Sequence, residues 1–317
     1  MTGDKKTPVE AKDFCVASAK EFGIECIYQT PEDQIEWLKT YPELGEEIPW
    51  NSIQRRNLAI LLAYEKGCEV IITIDDDNYF VEGQDFVGEH SAPILKGVHE
   101  HSAIKSNTNW LNVCEFLEDK RKVEFYPRGF PMNQRWTDPK PIFRSEKQKR
   151  KIIVNAGLWL DDPDVDAITR LTNDISALRY TKDESFSMQK GTWCPFNSQN
   201  TAMAREMIPA YCLSPNIGRY DDIWAGSLSL SLFLSCDSMC VCVSVACVCM
   251  CVRACVRVCV YVYICMYIYM YICIYRLCPQ PYPPTHQLTS IYTCSNTQTS
   301  SHTYSQTTTL PNTRFWR

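Results

Sequence analysis

The sequence predicts an α/β protein whose mostly parallel sheet is flanked by helices, and two observations carry this prediction. Through the first 226 residues, segments with helical periodicity alternate with short runs of β-forming residues. The apolar segment 51–67 is followed at once by the strand-like run 69–74, a succession typical of doubly wound sheets. The first helical segment follows only a few polar residues, so we expect a domain that is truncated at its start and lacks the usual opening strand.

The N-terminal segment TPVEAKDFCVASAKEFG is predicted to form the first helix. Thr7 is placed to cap its beginning, Pro8 suits its first turn and Gly23 suits its C-terminal cap. Phe14 and Phe22 fall on one face of this helix, as the helical period requires.

Four further elements follow. The run IECIY, residues 24–28, is predicted to be a short strand, and TPEDQIEWLKTY begins a second helix with Thr30 as its cap and Asp33 three residues on. The segment 51–67 is apolar on most sides, which predicts a buried helix. The run 69–74 is predicted to be a strand of the sheet.

Residues 84–150 have weak periodicity and many Pro, Asn and charged residues, which predicts long loops with short elements and a functional surface. Within them, the charge run SEKQKRK at 145–151 has two interpretations: a solvated loop, which we favour, or an anion site. After it, KIIVNAGLWL predicts a pair of strands, and DPDVDAITRLT predicts the beginning of a helix.

Three consecutive aspartates, Asp75, Asp76 and Asp77, follow the run 69–74. Neighbouring carboxylates disfavour one another's ionisation, and a divalent cation with oxygen ligands removes that cost. Ligands in open α/β sheets bind beyond the carboxyl ends of the strands. The triplet therefore predicts a metal and phosphate site with Mn²⁺ or Mg²⁺ as cofactor. The alternative is two turn-capping acids followed by a solvated one.

Two other stretches carry candidate chemistry. In FYPRGFPMNQRW, Arg128 and Arg135 lie seven residues apart in a loop, where two planar guanidinium groups would clamp a diphosphate; surface salt bridges are the alternative. In NIGRYDDIWAG, Asp221 and Asp222 stand next to Trp224, which suits sugar contacts or a general base. The alternative for this pair is two acids in the first turn of a helix.

The composition of the chain changes near residue 226, and the charge of the first part indicates which partners to expect. Residues 227–317 hold five of the 32 basic residues and one of the 37 acidic ones, which leaves a net charge of −9 on residues 1–226. An acidic body gives no reason to expect nucleic acid as a partner. Six scattered cysteines in the body and a polar N-terminus predict a cytoplasmic protein without a signal peptide.

We predict one domain over residues 1–226 and an unfolded, low-complexity tail over 227–317. The tail alternates Ser with Leu, then Cys with Val, then Tyr with Ile, pairs that CT, GT and TA dinucleotide repeats encode, so translated repeat DNA is the favoured interpretation. The alternative is a membrane anchor at 258–275, and membrane contact requires the apolar segment 239–275 to be genuine protein. Such a β-prone segment with almost no charge is an aggregation hazard.

Several ordered blocks resemble those of a known family, the reversibly glycosylated polypeptides, which include the plant UDP-arabinopyranose mutases. The blocks are TIDDD, RGFPMNQR, GLWLDDPDVDAITRL, the stretch from KGT to Asn200, and IGRYDDIWAG, and they span about residues 50–226. This chain has Ala156 where the family has His before GLWL. The family also continues past Gly226 with more sheet, more helix and a His motif near the metal. The resemblance thus implies truncation at both ends and a missing late metal ligand.

The resemblance implies a GT-A (Rossmann-like) fold and metal-dependent nucleotide-sugar chemistry, by either a glycosyltransferase or a nucleotide-sugar mutase. It implies that Asp77 and Asp75 ligate Mn²⁺ or Mg²⁺, and that Asp75 and Asp76 contact the ribose or metal-bound water. It also assigns Asn200 and Trp159 to the nucleotide-sugar site.

The reacting groups are implied by the same resemblance. Arg128 corresponds to a residue that takes up sugar covalently, with Arg135 in support and Asp221 or Asp222 orienting the acceptor or the sugar. The implied partner is a nucleoside diphosphate sugar, most simply a UDP-sugar. Homo- and hetero-oligomers are both compatible, and Golgi association is an implied location beside the cytoplasm. The alternative function is a truncated, non-catalytic GT-A-like module, from an aberrant gene model, that binds nucleotide weakly or serves as a subunit.

Overall fold

The structure of the chain is a computed structural model that describes residues 1–75, 78, 84–181, 185–234 and 239–243. Asp76 and Asp77, two of the predicted metal-site residues, lie outside the described residues. So do the chain from residue 244 onward and the anchor predicted at 258–275.

Helices and strands alternate irregularly along the described chain. Its helices are α1 (Glu10–Phe22), α2 (Pro31–Leu38), α3 (Pro42–Glu47), α4 (Arg56–Glu65), α5 (Phe86–Leu95), α6 (Ala167–Thr172) and α7 (Asp221–Leu234). Its strands are β1 (Val70–Ile74), β2 (Val98–Ser106), β3 (Leu117–Asp119), β4 (Phe143–Ile152), β5 (Val154–Ala156), β6 (Ala177–Tyr180), β7 (Phe186–Met188), β8 (Asn200–Ala204) and β9 (Met239–Val243).

The strands form a seven-stranded mixed sheet in the order β1-β8-β5-β9-β4-β2-β7 and a separate pair of β3 with β6. β1 and β5 both run antiparallel to β8, and β2 runs antiparallel to β4 from Val98↔Lys151 to Ser106↔Phe143. Parallel pairing joins β2 to β7, and joins β9 to β4 and β5. The α/β class is confirmed. The expectation of a mostly parallel sheet is wrong, because the two longest ladders of the sheet, β2 with β4 and β1 with β8, are antiparallel.

The core beneath β1 is built from β5, β8 and α4. Val154 and Met203 have no exposed surface, and Ile60 of α4 packs in the same cluster. The segment 51–67 thus forms a helix with a buried face, as predicted, after a short 3-10 turn at Ile53–Arg55. Truncating such core side chains typically costs about 2–5 kcal/mol each, so this packing holds the end of β1 firmly in place.

Local capping signals are confirmed at two of the three predicted positions. Thr30 and Asp33 form a capping box at α2, and Gly23 adopts a left-handed φ of 67° at the end of α1. Thr7 does not cap α1, because its hydroxyl accepts a hydrogen bond from the backbone of Asp4 at 2.8 Å and the helix begins later. The face predicted for α1 is largely solvent-exposed, since Phe14 is 73% exposed.

Three extended or loop predictions are wrong. Residues 24–28 form no strand, and the nearby backbone makes only an isolated bridge from Thr2 to Gln29. Residues 84–150 contain the ten-residue helix α5 and the nine-residue strand β2. The charge run 145–151 lies in β4 rather than in a loop, because β2 supplies a hydrogen-bonding partner along its whole length.

Helix α7 crosses the predicted boundary between residues 226 and 227. Ser229 is buried within it and donates to the carbonyl of Ala210 at 2.8 Å. The division into a body and a tail stays a prediction. Among the helices that the structure describes, none combines the length and the apolar character needed to cross a bilayer.

Candidate functional site

A cleft of about 1700 Å³ opens at the end of β1, with Ile74 and Asp75 in its lining. Segments from distant parts of the chain also contribute to the lining, among them residues around 52–56, 158–167, 198–200 and 218–222. Apolar and charged groups both face this space. It lies where the sheet topology and the acidic triplet predicted a ligand site.

Arg128 is held in this cleft by two carboxylates. Its Nε donates to Asp164 Oδ1 and Oδ2 at 2.9 and 3.0 Å. Its Nη1 and Nη2 donate to Asp222 Oδ1 and Oδ2 at 2.8 Å each, and Nη1 also donates to the carbonyl of Arg219 at 2.6 Å. All three guanidinium nitrogens are therefore engaged by groups of the chain itself.

These partners stabilise the charge of Arg128. Burial of the guanidinium lowers its pKa, but the hydrogen bonds and negative charges of Asp222 and Asp164 outweigh burial and raise the pKa above its usual value. The Arg128 side chain is 17% exposed, and those of Asp164 and Asp222 are 13% and 6% exposed. Screening by water is weak at these exposures, so the interactions are stronger than surface ion pairs.

The loop that carries Arg128 is fixed on both sides. The Arg128 backbone N–H donates to the carbonyl of Asp164 at 2.9 Å, and the Asp164 carboxylate accepts from Asn197 Nδ2 at 2.6 Å. Gly129 has a φ of 90°, and a Cβ there would lie 2.5 Å from Ile223 near the beginning of α7. Glycine thus permits both the turn and its close approach to the helix.

Asp221 and Asp222 lie in the first turn of α7, as the simpler interpretation of the pair predicted. The structure separates their surroundings. Asp222 lines the cleft and binds Arg128, whereas Asp221 has no exposed surface and accepts from Gln54 Nε2 at 2.6 Å. Asp221 Oδ1 has no hydrogen-bond partner among the described residues. Burial, joined by the charge of Asp222, raises the pKa of Asp221.

Asp75 also lines the cleft, where its carboxylate forms an ion pair with Arg56 of α4. Arg56 donates in addition to the carbonyl of Ser198 at 3.1 Å. In the described part of the chain, no three His, Cys, Asp or Glu side chains cluster as metal ligands do. Since Arg56 already occupies Asp75, the described donors do not by themselves fit a divalent cation, and Asp76 and Asp77 lie beyond them.

Asn200 and Trp159, both predicted for the nucleotide-sugar site, line the cleft together. Asn200 Oδ1 accepts from His90 Nε2 at 2.8 Å, and its Nδ2 donates to the carbonyl of Leu158 at 3.3 Å. The indole N–H of Trp159 is buried without a hydrogen-bond partner in the described structure. A ligand in the cleft would therefore meet one fixed amide and one aromatic ring.

Arg135 is buried and is not among the described residues that line the cleft. Its Nη1 forms an ion pair with Asp166, and its Nε and Nη2 donate to the carbonyl of Phe130 at 3.3 and 3.0 Å. These contacts fix the loop between Phe130 and Arg135. The structure therefore brings Arg128 and Asp222 together, but it gives Arg135 a structural place in the loop.

Three polar side chains of the site escaped the sequence analysis: Arg56, Asp164 and Gln54. Their partners lie 19, 36 and 167 residues away in the chain, so no local spacing could reveal the contacts. Asp164 had one signal, its place in the block GLWLDDPDVDAITRL. Arg56 and Gln54 had none beyond their position near the beginning of the predicted helix 51–67.

Comparison with curated proteins identifies what about half of this chain is similar to. UDP-arabinopyranose mutase 1 of Arabidopsis thaliana is 40% identical over 165 residues, covering 49% of this chain and 41% of that protein. UDP-arabinopyranose mutase 1 of Oryza sativa is 33% identical over 163 residues, and a probable UDP-arabinopyranose mutase 2 of Solanum tuberosum is 28% identical over 165 residues. Both of these matches cover 49% of this chain and 40% of the relative. This chain resembles the UDP-arabinopyranose mutases.

The resemblance predicted from the motifs is confirmed over about half of the chain. The chain spans about 40% of the length of most of the curated relatives it matches. No protein-family model matches the chain. The names of these relatives therefore support a proposal about the cleft and do not establish the activity of this chain.

Proposed function

We propose that the cleft binds a nucleoside diphosphate sugar, most simply a UDP-sugar, and that the chain carries mutase-like chemistry on it. The proposal rests on the position of Arg128, a charged arginine that Asp164 and Asp222 hold in the cleft. The end of β1 lines the same cleft. The similar proteins are named for UDP-arabinopyranose, which supplies the substrate class. Those names favour a mutase over a glycosyltransferase, and a GT-A-like architecture is proposed with it.

The lining of the cleft suits a ligand that combines aromatic, sugar and phosphate groups. Trp159 and Tyr180 offer ring surface for a base or a sugar. Arg56, Arg219 and Lys6 also line the cleft and supply positive charge for phosphate oxygens.

We assign Arg128 to the sugar rather than to the diphosphate, because the resemblance gives this position the covalent uptake of sugar and Asp222 is bound to its nitrogens. As sugar acceptor, a guanidinium nitrogen would attack the anomeric carbon while the bond from that carbon to the diphosphate oxygen breaks, and the diphosphate would leave with the electron pair of that bond. The attacking nitrogen would lose one proton, and the Asp222 carboxylate at 2.8 Å is placed to receive it. Before release, the ring of the bound sugar would open and close again through a different hydroxyl oxygen, with one proton passing between the two oxygens. Attack by the diphosphate oxygen in the reverse sense would then release the rearranged sugar and restore the proton to Arg128.

A divalent cation stays a separate proposal. Mn²⁺ or Mg²⁺ would depend on Asp77 together with Asp75, and the described donors alone do not form its site. No step assigned above to Arg128 or Asp222 requires the ion.

Isothermal titration of the full chain tests the proposal. UDP-arabinopyranose, UDP-glucose and ADP-glucose are each titrated with and without Mn²⁺, and chromatography of incubated UDP-arabinopyranose follows any change in the sugar. We expect UDP-sugar binding that Asp222→Asn weakens. Arg179→Met is a matched control, because Arg179 pairs with Glu118 on the surface outside the cleft and its loss leaves binding unchanged.

The outcomes separate the hypotheses. Binding together with conversion of the sugar supports the mutase-like function. Binding without conversion favours the non-catalytic alternative, a module that only holds the nucleotide. Absence of binding by all three nucleotide sugars, with and without metal, overturns the proposal.

A further inference from the structure

The amide of Asn200 is fixed in one orientation. Its Oδ1 can only accept a hydrogen bond, and it does so from His90 Nε2 at 2.8 Å. Its Nδ2 can only donate, and it does so to the carbonyl of Leu158 at 3.3 Å. The two contacts define which end of the amide is oxygen, and one N–H of Nδ2 remains for a ligand in the cleft that Asn200 lines.

His90 lies in α5, and its neighbours hold its ring in place. The side chain is buried, and its ring makes an edge contact with Phe86 at 4.6 Å between centroids. Its backbone carbonyl accepts from Asn155 Nδ2 of β5 at 3.2 Å, which ties the helix to the sheet. His90 is not among the described residues that line the cleft, so its effect on a ligand must pass through Asn200.

The protonation of His90 fits a donor role. Because Asn200 Oδ1 only accepts, His90 Nε2 must carry the hydrogen. Burial lowers the pKa of His90, which keeps the ring neutral, and its Nδ1 has no hydrogen-bond partner within the described residues. A neutral ring with its hydrogen on Nε2 satisfies this geometry.

Gly157 supports the amide from a further side. A Cβ at Gly157 would overlap Asn200 Nδ2, so the close approach requires glycine. The Gly157 backbone N–H also donates to the Asn200 carbonyl at 2.8 Å. Side chain and backbone of Asn200 are thus both held by the start of the GLWL stretch.

We propose that His90 is a positioning residue for the nucleotide-sugar site, and that it acts by holding the Asn200 amide so that Nδ2 donates to an acceptor oxygen of the bound nucleotide sugar. The proposal rests on the proposed function of the cleft. It assigns a binding contribution to a buried histidine that never touches the ligand. Without His90, the Asn200 Oδ1 loses its donor and only the hydrogen bond from Nδ2 to the Leu158 carbonyl orients the amide. An amide that turns its oxygen toward the cleft would repel a phosphate or carbonyl oxygen.

The test is a double-mutant cycle on the full chain, with the UDP-sugar dissociation constant measured by titration calorimetry. The variants are His90→Asn, His90→Gln, Asn200→Ala and the double variant of His90→Asn with Asn200→Ala. The amide of glutamine reaches the position of His90 Nε2 and that of asparagine does not. We expect His90→Asn to weaken binding about fivefold, the worth of one net neutral hydrogen bond, and His90→Gln to restore it.

A further prediction follows if His90 acts only through Asn200. The double variant should bind no more weakly than Asn200→Ala alone, since the amide that His90 positions is gone. His99→Asn is the matched control on β2, outside the cleft lining, and should leave binding unchanged. Circular dichroism verifies that each variant is folded. If His90→Asn is not folded, the cycle is run with His90→Gln, which must then bind like the parent chain.

The outcomes distinguish this inference from the proposed function. Parent chain that binds UDP-arabinopyranose, with His90→Asn binding equally well, overturns the role of His90 and leaves the function standing. Losses that multiply in the double variant overturn it too, because they show a path that avoids Asn200. Parent chain that binds no nucleotide sugar overturns both.

Discussion

Replacing Arg128 by methionine should destabilise the chain severely. The change removes the cation from between Asp164 and Asp222, whose side chains are 13% and 6% exposed, and leaves two largely buried carboxylates without it. Asp164 keeps the hydrogen bond from Asn197, and Asp222 keeps one from the backbone of Ile223. Removing one partner of a buried ion pair typically costs about 3–5 kcal/mol, which is a large part of the total stability of an ordinary domain.

Equilibrium unfolding in urea, followed by tryptophan fluorescence, measures this loss. Arg179→Met is the matched control, because Arg179 is 74% exposed and its partner Glu118 is 31% exposed. An ion pair in that setting contributes about 0–1 kcal/mol. We therefore expect the loss of free energy of unfolding in Arg128→Met to be several times the loss in the control.

Removing the two negative charges tests the cause. Adding Asp164→Asn and Asp222→Asn should restore much of the loss at neutral pH. Equal stability of Arg128→Met and Arg179→Met, or no recovery of stability when the two asparagines are added, would refute the electrostatic explanation.

Three more predictions address other parts of the site. Burial raises the pKa of Asp221, so the folded state holds the proton of this carboxyl to higher pH than the unfolded state does. The stability of the parent chain relative to Asp221→Asn should therefore fall as pH rises through that pKa. A stability difference that stays constant with pH would contradict this. Gly157→Ala should weaken UDP-sugar binding as much as Asn200→Ala does, because the new methyl displaces the Asn200 amide; calorimetry showing unchanged binding would contradict it. Asp77→Ala should abolish Mn²⁺ binding in titration calorimetry, and retained affinity would place the ion elsewhere.

The sequence predicts best those features that depend on a few consecutive residues. The capping box of Thr30 with Asp33 and the left-handed Gly23 were predicted and are observed, since each depends on contacts within about four residues. The α/β class follows from periodicity summed over many residues. Even here, Thr7 failed as a cap, because Asp4 offered its hydroxyl a nearer backbone donor.

Features that depend on distant partners could not be predicted. The charged run 145–151 has the composition of a loop. It forms a strand because it hydrogen-bonds to β2, a distant part of the chain. Strand directions in the sheet escaped prediction for the same reason. The contact of Arg128 with Asp222 joins residues 94 positions apart, and the motifs named both residues without showing that they touch.

The central claim is that the cleft at the end of β1 holds the nucleotide sugar, and hydrogen–deuterium exchange of the full chain with and without UDP-arabinopyranose tests it most directly. We predict slower exchange on ligand addition at residues 127–130, 157–160 and 198–200, which border Arg128, Trp159 and Asn200. Strands β2 and β4, which contribute no residue to the cleft lining among the described residues, should exchange as before. Ligand binding by calorimetry with unchanged exchange in all three cleft segments would contradict the account.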